Sequence, residues 1–319
     1  MVTLRIEEVS ETCNRILTEL NATIVGKETV LRKILVGLLA NSHMLIEDYP
    51  GLAKTVIAKS LATTVGCRFS RVQFTPDLLP ADITGTYVYN QKSNEFELRK
   101  GPLFTNILLA DEINRSPPKT QAALLEAMQE RQTTLDGRTH HLEDPFIVLA
   151  TQNPIEFEGV YQLPEAQLDR FIMRLRVGYP DRDSEMEILR RRIRRGTDDF
   201  SVNTIVDSKT LLDMQRAIED VHADEGVLSY ITDFVRETRM HAQVEIGASP
   251  RGSLALLKLA RANAALDGRD YIIPDDVKAI CFEALSHRII PKAASWIHGF
   301  DASQIIDEIL RKTPVPRID

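Results

Sequence analysis

The apolar run Ile107-Leu108-Leu109-Ala110 ends abruptly in Asp111-Glu112, followed by Ile113-Asn114-Arg115. An unbroken apolar run of this length reads as a strand buried on both faces of a parallel sheet. Ligands of open α/β sheets bind at the carboxyl edge of the strands, so this run would deliver two adjacent carboxylates to a ligand site. Upstream, a second short apolar strand, His43 to Glu47, leads into Asp48-Tyr49-Pro50-Gly51-Leu52-Ala53-Lys54-Thr55 and a helical pattern that opens at Val56. A loop in that position cradles phosphate with successive backbone N–H groups and the N-terminus of the helix. Lys54 would reach the β- and γ-phosphate oxygens, the Thr55 hydroxyl would ligate Mg²⁺, and Pro50, Gly51, Leu52, Ala53 and Val56 would line the cradle. Asp111 would hold the same Mg²⁺ through water, and Glu112 would polarise the attacking water as general base. Each group follows its own strand and they come in the right order. The pattern implies a protein that binds ATP and Mg²⁺ and splits the γ-phosphate.

The loop departs from Gly-x-x-x-x-Gly-Lys-Ser/Thr at both glycines, which are Asp48 and Ala53 here. Ala53 reads as the milder change, because that position can be helix-like and a methyl can fit. Asp48 brings a carboxylate near a site meant for a polyanion, although Asp visits left-handed backbone more readily than most residues. Two unit charges about 8 Å apart repel by roughly 2 kcal/mol at an effective dielectric near 20, a roughly thirtyfold loss of affinity. By itself the loop also fits a Pro-Gly turn before a solvated lysine.

Asn153 follows a further buried strand, Phe146 to Ala150, where its amide could bridge the γ-phosphate and the lytic water; an Asn-Pro turn is the competing account. In Leu168-Asp169-Arg170-Phe171, Arg170 follows a helical stretch and could project into a neighbouring subunit's site to stabilise transition-state charge. Ser249-Pro250-Arg251 starts a helix, with Ser as N-cap and Pro at the first helical position. Arg251 then projects from the first turn and could close the second domain onto the γ-phosphate. Taken in isolation, Arg170 reads first as half of an Asp-Arg surface pair, and the competing account of Arg251 is an exposed first-turn arginine, mildly unfavourable against the helix dipole.

Helical periodicity covers residues 4 to 20, 26 to 41 and Lys119 to Glu130, and Arg68 to Phe74 reads as a strand. Residues 86 to 99 read as a hairpin-like insertion, and Asp136-Gly137 suits the type I′ turn of a second hairpin over residues 133 to 140. Turn residues give way to helical patterning after Tyr179-Pro180-Asp181. This divides the chain into a nucleotide-binding domain, 1–180, and a helical second domain, 181–319.

The chain has 319 residues, 43% of them hydrophobic, which suits two globular domains. No segment approaches the roughly 18 apolar residues of a membrane span, the start at Met1 lacks a secretory pattern, and three widely spaced cysteines give no disulfide framework. A cytoplasmic location is the expectation. A net charge of -7 argues against a protein that coats nucleic acid. The arginine-rich stretch Arg190 to Arg195, and Arg138, His140 and His141 on the second hairpin, leave a DNA-acting motor as an alternative to a solvated helix face. His43, His140, His141, His222, His241, His287 and His298 show no metal-ligand spacing, and Trp296 and Phe300 read as packing in the second domain.

Several long strings together resemble the MoxR family of AAA+ ATPases over nearly the whole chain. They are Gln73 through Pro76-Asp77-Leu78-Leu79-Pro80 to Gly85, Lys100-Gly101-Pro102-Leu103-Phe104, and Leu109 through Pro117-Pro118-Lys119 to Glu130. Ala150 to Pro154, Leu163-Pro164-Glu165 to Phe171 and Gly247 to Arg251 complete the set. The match is looser from about residue 180 to 240. The resemblance implies an α/β core with a parallel five-stranded sheet, followed by a small all-helical lid. It gives Lys54 and Thr55 the roles of Walker A, Asp111 and Glu112 those of Walker B, Asn153 sensor 1, Arg170 the arginine finger and Arg251 sensor 2. It implies a homo-oligomer, usually a hexameric ring, a partner bearing a von Willebrand factor A domain, and a chaperone-like remodelling role. Ala53 is common in such proteins. Gly is expected at 48, so Asp48 keeps open an alternative: a weak or degenerate nucleotide-binding ring subunit acting as a scaffold.

Overall fold

The computed structural model describes residues 4–154, 160–293 and 301–316. Trp296, Phe300 and His298 lie outside the described residues. Two helices, α1 (Ile6–Thr23) and α2 (Glu28–Leu39), precede the sheet. Leu31, Ile34, Leu35, Leu38 and Leu39 form the buried stripe of α2, the spacing of one helical face. The sheet strands are β1 (Met44–Glu47), β2 (Phe69–Gln73), β5 (Ile107–Asp111), β8 (Ile147–Gln152) and β9 (Met173–Leu175). They pair in the order β2-β5-β8-β1-β9, all parallel. This is the five-stranded sheet that the resemblance implied.

Alternation along the strands sorts their side chains onto two faces. Met44, Ile46, Ile107, Leu109, Ile147 and Leu149 pack on the side of α1, α2 and α3 (Lys54–Thr64). Leu45, Leu108, Ala110, Val148 and Ala150 pack on the other side with Phe74, Phe146, Phe171 and α5 (Pro118–Glu130). Two hairpins stand off the sheet: β3 (Gly85–Asn90) with β4 (Glu95–Lys100), and β6 (Gln132–Leu135) with β7 (Arg138–His141). In the second, Asp136 and Gly137 both have positive φ, 47° and 76°, as a type I′ turn requires. The hairpins meet where the Tyr87 hydroxyl lies 3.1 Å from His140 Nε2 and Arg138 covers the Tyr87 ring.

The second half is helical: α7 (Arg182–Arg195), α8 (Ser208–Glu219), α9 (Glu225–Met240), α10 (Pro250–Leu266), α11 (Pro274–Leu285) and a last helix, Ala302–Lys312. One small two-stranded pairing, Val244–Ile246 with Ile290–Pro291, is added to the helices. The Ser249 side chain caps α10 by accepting from Arg251 N, with Pro250 at the first helical position. Helix α10 packs on α1 and α2, so the helical half and the α3 side of the sheet share one hydrophobic cluster. In α7 the arginines are taken up locally: Glu187 pairs with Arg191 at 3.0 Å and Arg194 at 2.7 Å, and Arg192 pairs with Asp198.

Candidate active site

The loop after β1 leaves the sheet at Asp48, whose N–H donates to Gln152 O at 3.1 Å. The Asp48 side chain is buried. Its carboxylate accepts N–H groups from Val177 at 2.7 Å, Gly178 at 2.5 Å and Tyr49 at 2.8 Å. Lys27 grips the same segment, donating to the carbonyls of Val177 and Gly178 at 3.1 and 2.8 Å. Asp48 spends its oxygens tying the loop to the exit of β9, while its charge still reaches the Lys54 ammonium. It is also not among the residues of positive φ; the left-handed bends fall at Gly51 and Ala53, with φ 82° and 55°. Ala53 is thus not helix-like, and an L-residue there carries about 1–2 kcal/mol of strain.

Lys54 opens α3 and folds back over its loop, donating to Asp48 O at 2.7 Å and Tyr49 O at 3.1 Å. Burial holds its ammonium below the usual lysine range, opposed by the nearby carboxylates of Asp111, Asp48 and Glu112. At the end of β5, Asp111 accepts the Thr151 hydroxyl on Oδ1 at 2.6 Å and the Arg71 guanidinium on Oδ2 at 2.7 and 3.2 Å. Glu112 turns out of the strand with φ 57°, and its N–H donates to Thr151 Oγ1 at 2.8 Å. Its carboxylate accepts from Gln73 Nε2 at 2.7 Å and pairs with Arg115 at 3.2 Å. Asn153 is buried just past β8.

These groups share one cleft of about 380 Å³, lined by Pro50, Gly51, Leu52, Ala53, Lys54, Thr55 and Val56 on one side, with Asp111, Glu112 and Asn153 facing them. A hydroxyl, a carboxylate, a lysine and a helix N-terminus are the donor set that suits a hard cation carrying phosphates. The residues present fit Mg²⁺ and a triphosphate: Thr55 and Asp111 stand ready as oxygen ligands and Lys54 as counter-charge.

Arg170 and Arg251 lie elsewhere. Both line a second cleft, of about 330 Å³, together with His43, Asp169, Lys258 and Arg288. Arg170 donates to Leu125 O at 2.7 Å, and Arg251 stands 3.8 Å from Asp169. Asp169 is held chiefly by the buried Arg288 at 2.7 Å and by the Ser249 hydroxyl at 3.2 Å. This cleft opens at the amino edge of the sheet, before β1 and β9, whereas the phosphate cradle opens at the carboxyl edge. The five residue steps from His43 to Asp48 span about 16 Å of extended chain, and neither Arg170 nor Arg251 lines the cradle of its own subunit.

Sequence reasoning assigned no role to Arg71, Gln73 and Thr151, although all three touch the two acids. The alternation of β2 is visible in the sequence, but its register with β5 comes only from the fold. Strand β2 alternates, and Arg71 and Gln73 lie in register with Leu109 and Asp111, which puts them on the cradle's side of the sheet.

Comparison with known proteins adds an independent line. The model of the AAA ATPase family (ATPase family associated with various cellular activities) matches residues 43–173, and that of the AAA lid domain matches residues 236–309. The uncharacterized protein YeaC of Bacillus subtilis is 44% identical over 310 residues, 97% of each chain. Chaperone MoxR1 of Mycobacterium tuberculosis is 41% identical over 317 residues, 97% of this chain and 83% of that one. A crystal structure of a Cytophaga hutchinsonii protein superposes with a TM-score of 0.91 at 41% identity, covering 97% of this chain and 96% of that one.

Proposed function

The chain belongs to the MoxR family of AAA+ ATPases, and from that premise we propose that it hydrolyses ATP in a Mg²⁺-dependent reaction within a homo-oligomeric ring, to remodel protein complexes. The observation that carries this reading is the single cleft that holds Lys54, Thr55, Asp111, Glu112 and Asn153 together. Lys54 would exchange its two loop carbonyls for β- and γ-phosphate oxygens. Mg²⁺, when bound by Thr55 and through water by Asp111, neutralises charge on the phosphates. Glu112 would release Gln73 and take the proton of the attacking water, which Asn153 orients against the γ-phosphate.

The grouping of Arg170 with Arg251, on the edge opposite the cradle, supports a site completed between subunits. An arginine that can reach only a neighbour's γ-phosphate makes hydrolysis depend on assembly. Arg251 joins Arg170 in that role here, rather than closing onto its own subunit's nucleotide. A hexamer, a partner bearing a von Willebrand factor A domain, and a cytoplasmic location belong to the same reading. The scaffold alternative rested on Asp48, and the three N–H groups that occupy its carboxylate favour the hydrolytic reading over it.

The test is ATP hydrolysis measured against protein concentration, with and without EDTA, beside sedimentation with and without ATP. Specific activity should rise with concentration in step with assembly and vanish in EDTA. Activity that a monomer shows at every concentration would overturn the shared site.

A further inference from the structure

The two oxygens of Asp111 are engaged differently. Oδ1 belongs to Thr151, which is buried and simultaneously fixes the Glu112 N–H. Oδ2 belongs to Arg71, whose side chain is 46% exposed and lines the cradle cleft. Of the two partners, only the arginine can leave without breaking buried structure. A hydrated Mg²⁺ approaching Asp111 therefore meets a guanidinium already at the oxygen it needs. A divalent ion brings twice the charge of the resident cation, so the exchange favours the metal once phosphates accompany it. The displaced guanidinium stays tethered to β2 in the lining of the same cleft, within the space that would hold the triphosphate. Its fork matches two phosphate oxygens as well as it matches a carboxylate.

We infer that Arg71 is a further arginine of the catalytic site, supplied by the same subunit: it pairs with Asp111 and moves to the terminal phosphate when Mg²⁺ and ATP arrive. This inference rests on the proposed ATPase reading and adds a specific consequence. A diphosphate gives Arg71 no terminal group to grasp, so the residue discriminates triphosphate from diphosphate. Arg170 and Arg251 act across a subunit boundary, whereas Arg71 acts in an isolated chain as well.

The experiment is equilibrium binding of a fluorescent ADP and of the matching non-hydrolysable ATP analogue, both with Mg²⁺. The proteins are wild type, Arg71→Ala and Arg71→Lys, at concentrations where each is monomeric. We expect Arg71→Ala to lose about tenfold in affinity for the triphosphate while its diphosphate affinity stays within about twofold. Arg71→Lys should recover part of the triphosphate preference, since it keeps the charge and loses the fork. Equal losses for both nucleotides would reduce Arg71 to a structural partner of Asp111, and no loss for either would discard the inference. If wild type itself binds neither nucleotide, the ATPase reading fails along with it. If wild type binds both and Arg71→Ala matches it, this inference alone fails.

Discussion

Replacing Asp48 by glycine would restore the residue that a phosphate-binding loop ordinarily carries there, yet the structure says the change is costly. Two of the three N–H groups held by the carboxylate, those of Val177 and Gly178, come from a different part of the chain, at 2.7 and 2.5 Å. Asp48 is only 6% exposed, so water does not readily take its place. Hydrogen bonds to a charged acceptor contribute about 1.5–3 kcal/mol each, and glycine adds roughly 0.5–1 kcal/mol of backbone freedom in the unfolded chain. Relief of the buried charge offsets part of this, which leaves a net loss of about 3–5 kcal/mol for Asp48→Gly. Asp48→Asn keeps one acceptor oxygen in place and should lose about 1–2 kcal/mol. The assay is urea denaturation of the three proteins, followed by calorimetric titration with ATP under conditions where all are folded. Simple charge repulsion predicts the reverse pattern: unchanged stability and roughly thirtyfold tighter ATP binding for the glycine variant. A glycine variant within about 0.5 kcal/mol of wild type that binds ATP thirtyfold more tightly would refute the staple.

Other consequences follow from single residues. Ala53→Gly should relieve left-handed strain of about 1–2 kcal/mol, less the flexibility glycine adds to the unfolded chain, for a net gain of about 0.5–1 kcal/mol in thermal or chemical denaturation. His43 is buried: its Nδ1 accepts the Val148 N–H, so the ring proton sits on Nε2 and donates to Met128 O. Burial pulls its pKa down from 6.5 to about 4. The unfolded chain therefore binds the extra proton first, so this contribution is intact above pH 6.5 and is lost as pH falls toward 4. Between pH 7 and 5 that amounts to about 2 kcal/mol, and His43→Gln should flatten the slope of stability against pH over that interval. Gln73→Ala should free Glu112 from its amide partner and change the turnover rate without changing ATP affinity. A parallel fall in affinity would mean that Gln73 shapes the cradle instead.

Much of this site was legible because the chemistry needs local strings. An apolar run that stops at two acids, and a lysine-threonine pair opening a helix, declare themselves without tertiary contacts. The Asp-Gly turn of the second hairpin did so too, since its positive φ pair is a local requirement. Strand β9 was not located from the sequence; the resemblance gave only the expectation of a fifth strand. Met173-Arg174-Leu175 is three residues long, with a charge in the middle that pairs with Glu47 of β1, so neither periodicity nor length marks it. The role of Asp48 was hidden because its partners lie some 130 residues away at the exit of that same short strand. The left-handed bend at Ala53 was misjudged because alanine's ordinary preference points to a right-handed helix. Arg71 and Gln73 were missed because a polar residue on an edge strand reads as solvated until its register with the neighbouring acids is known.

Catalysis as proposed needs one composite site: a cradle and two acids from one subunit, and an arginine from the next. Mixing Arg170→Ala with Glu112→Gln tests it most directly. Each variant alone should bind ATP and hydrolyse almost none. In an equimolar mixture, random assembly sets an intact cradle against an intact Arg170 at about one interface in four, and hydrolysis should return to roughly that fraction of wild type. A mixture as inactive as its two components, with both still binding ATP and assembling, would contradict the account.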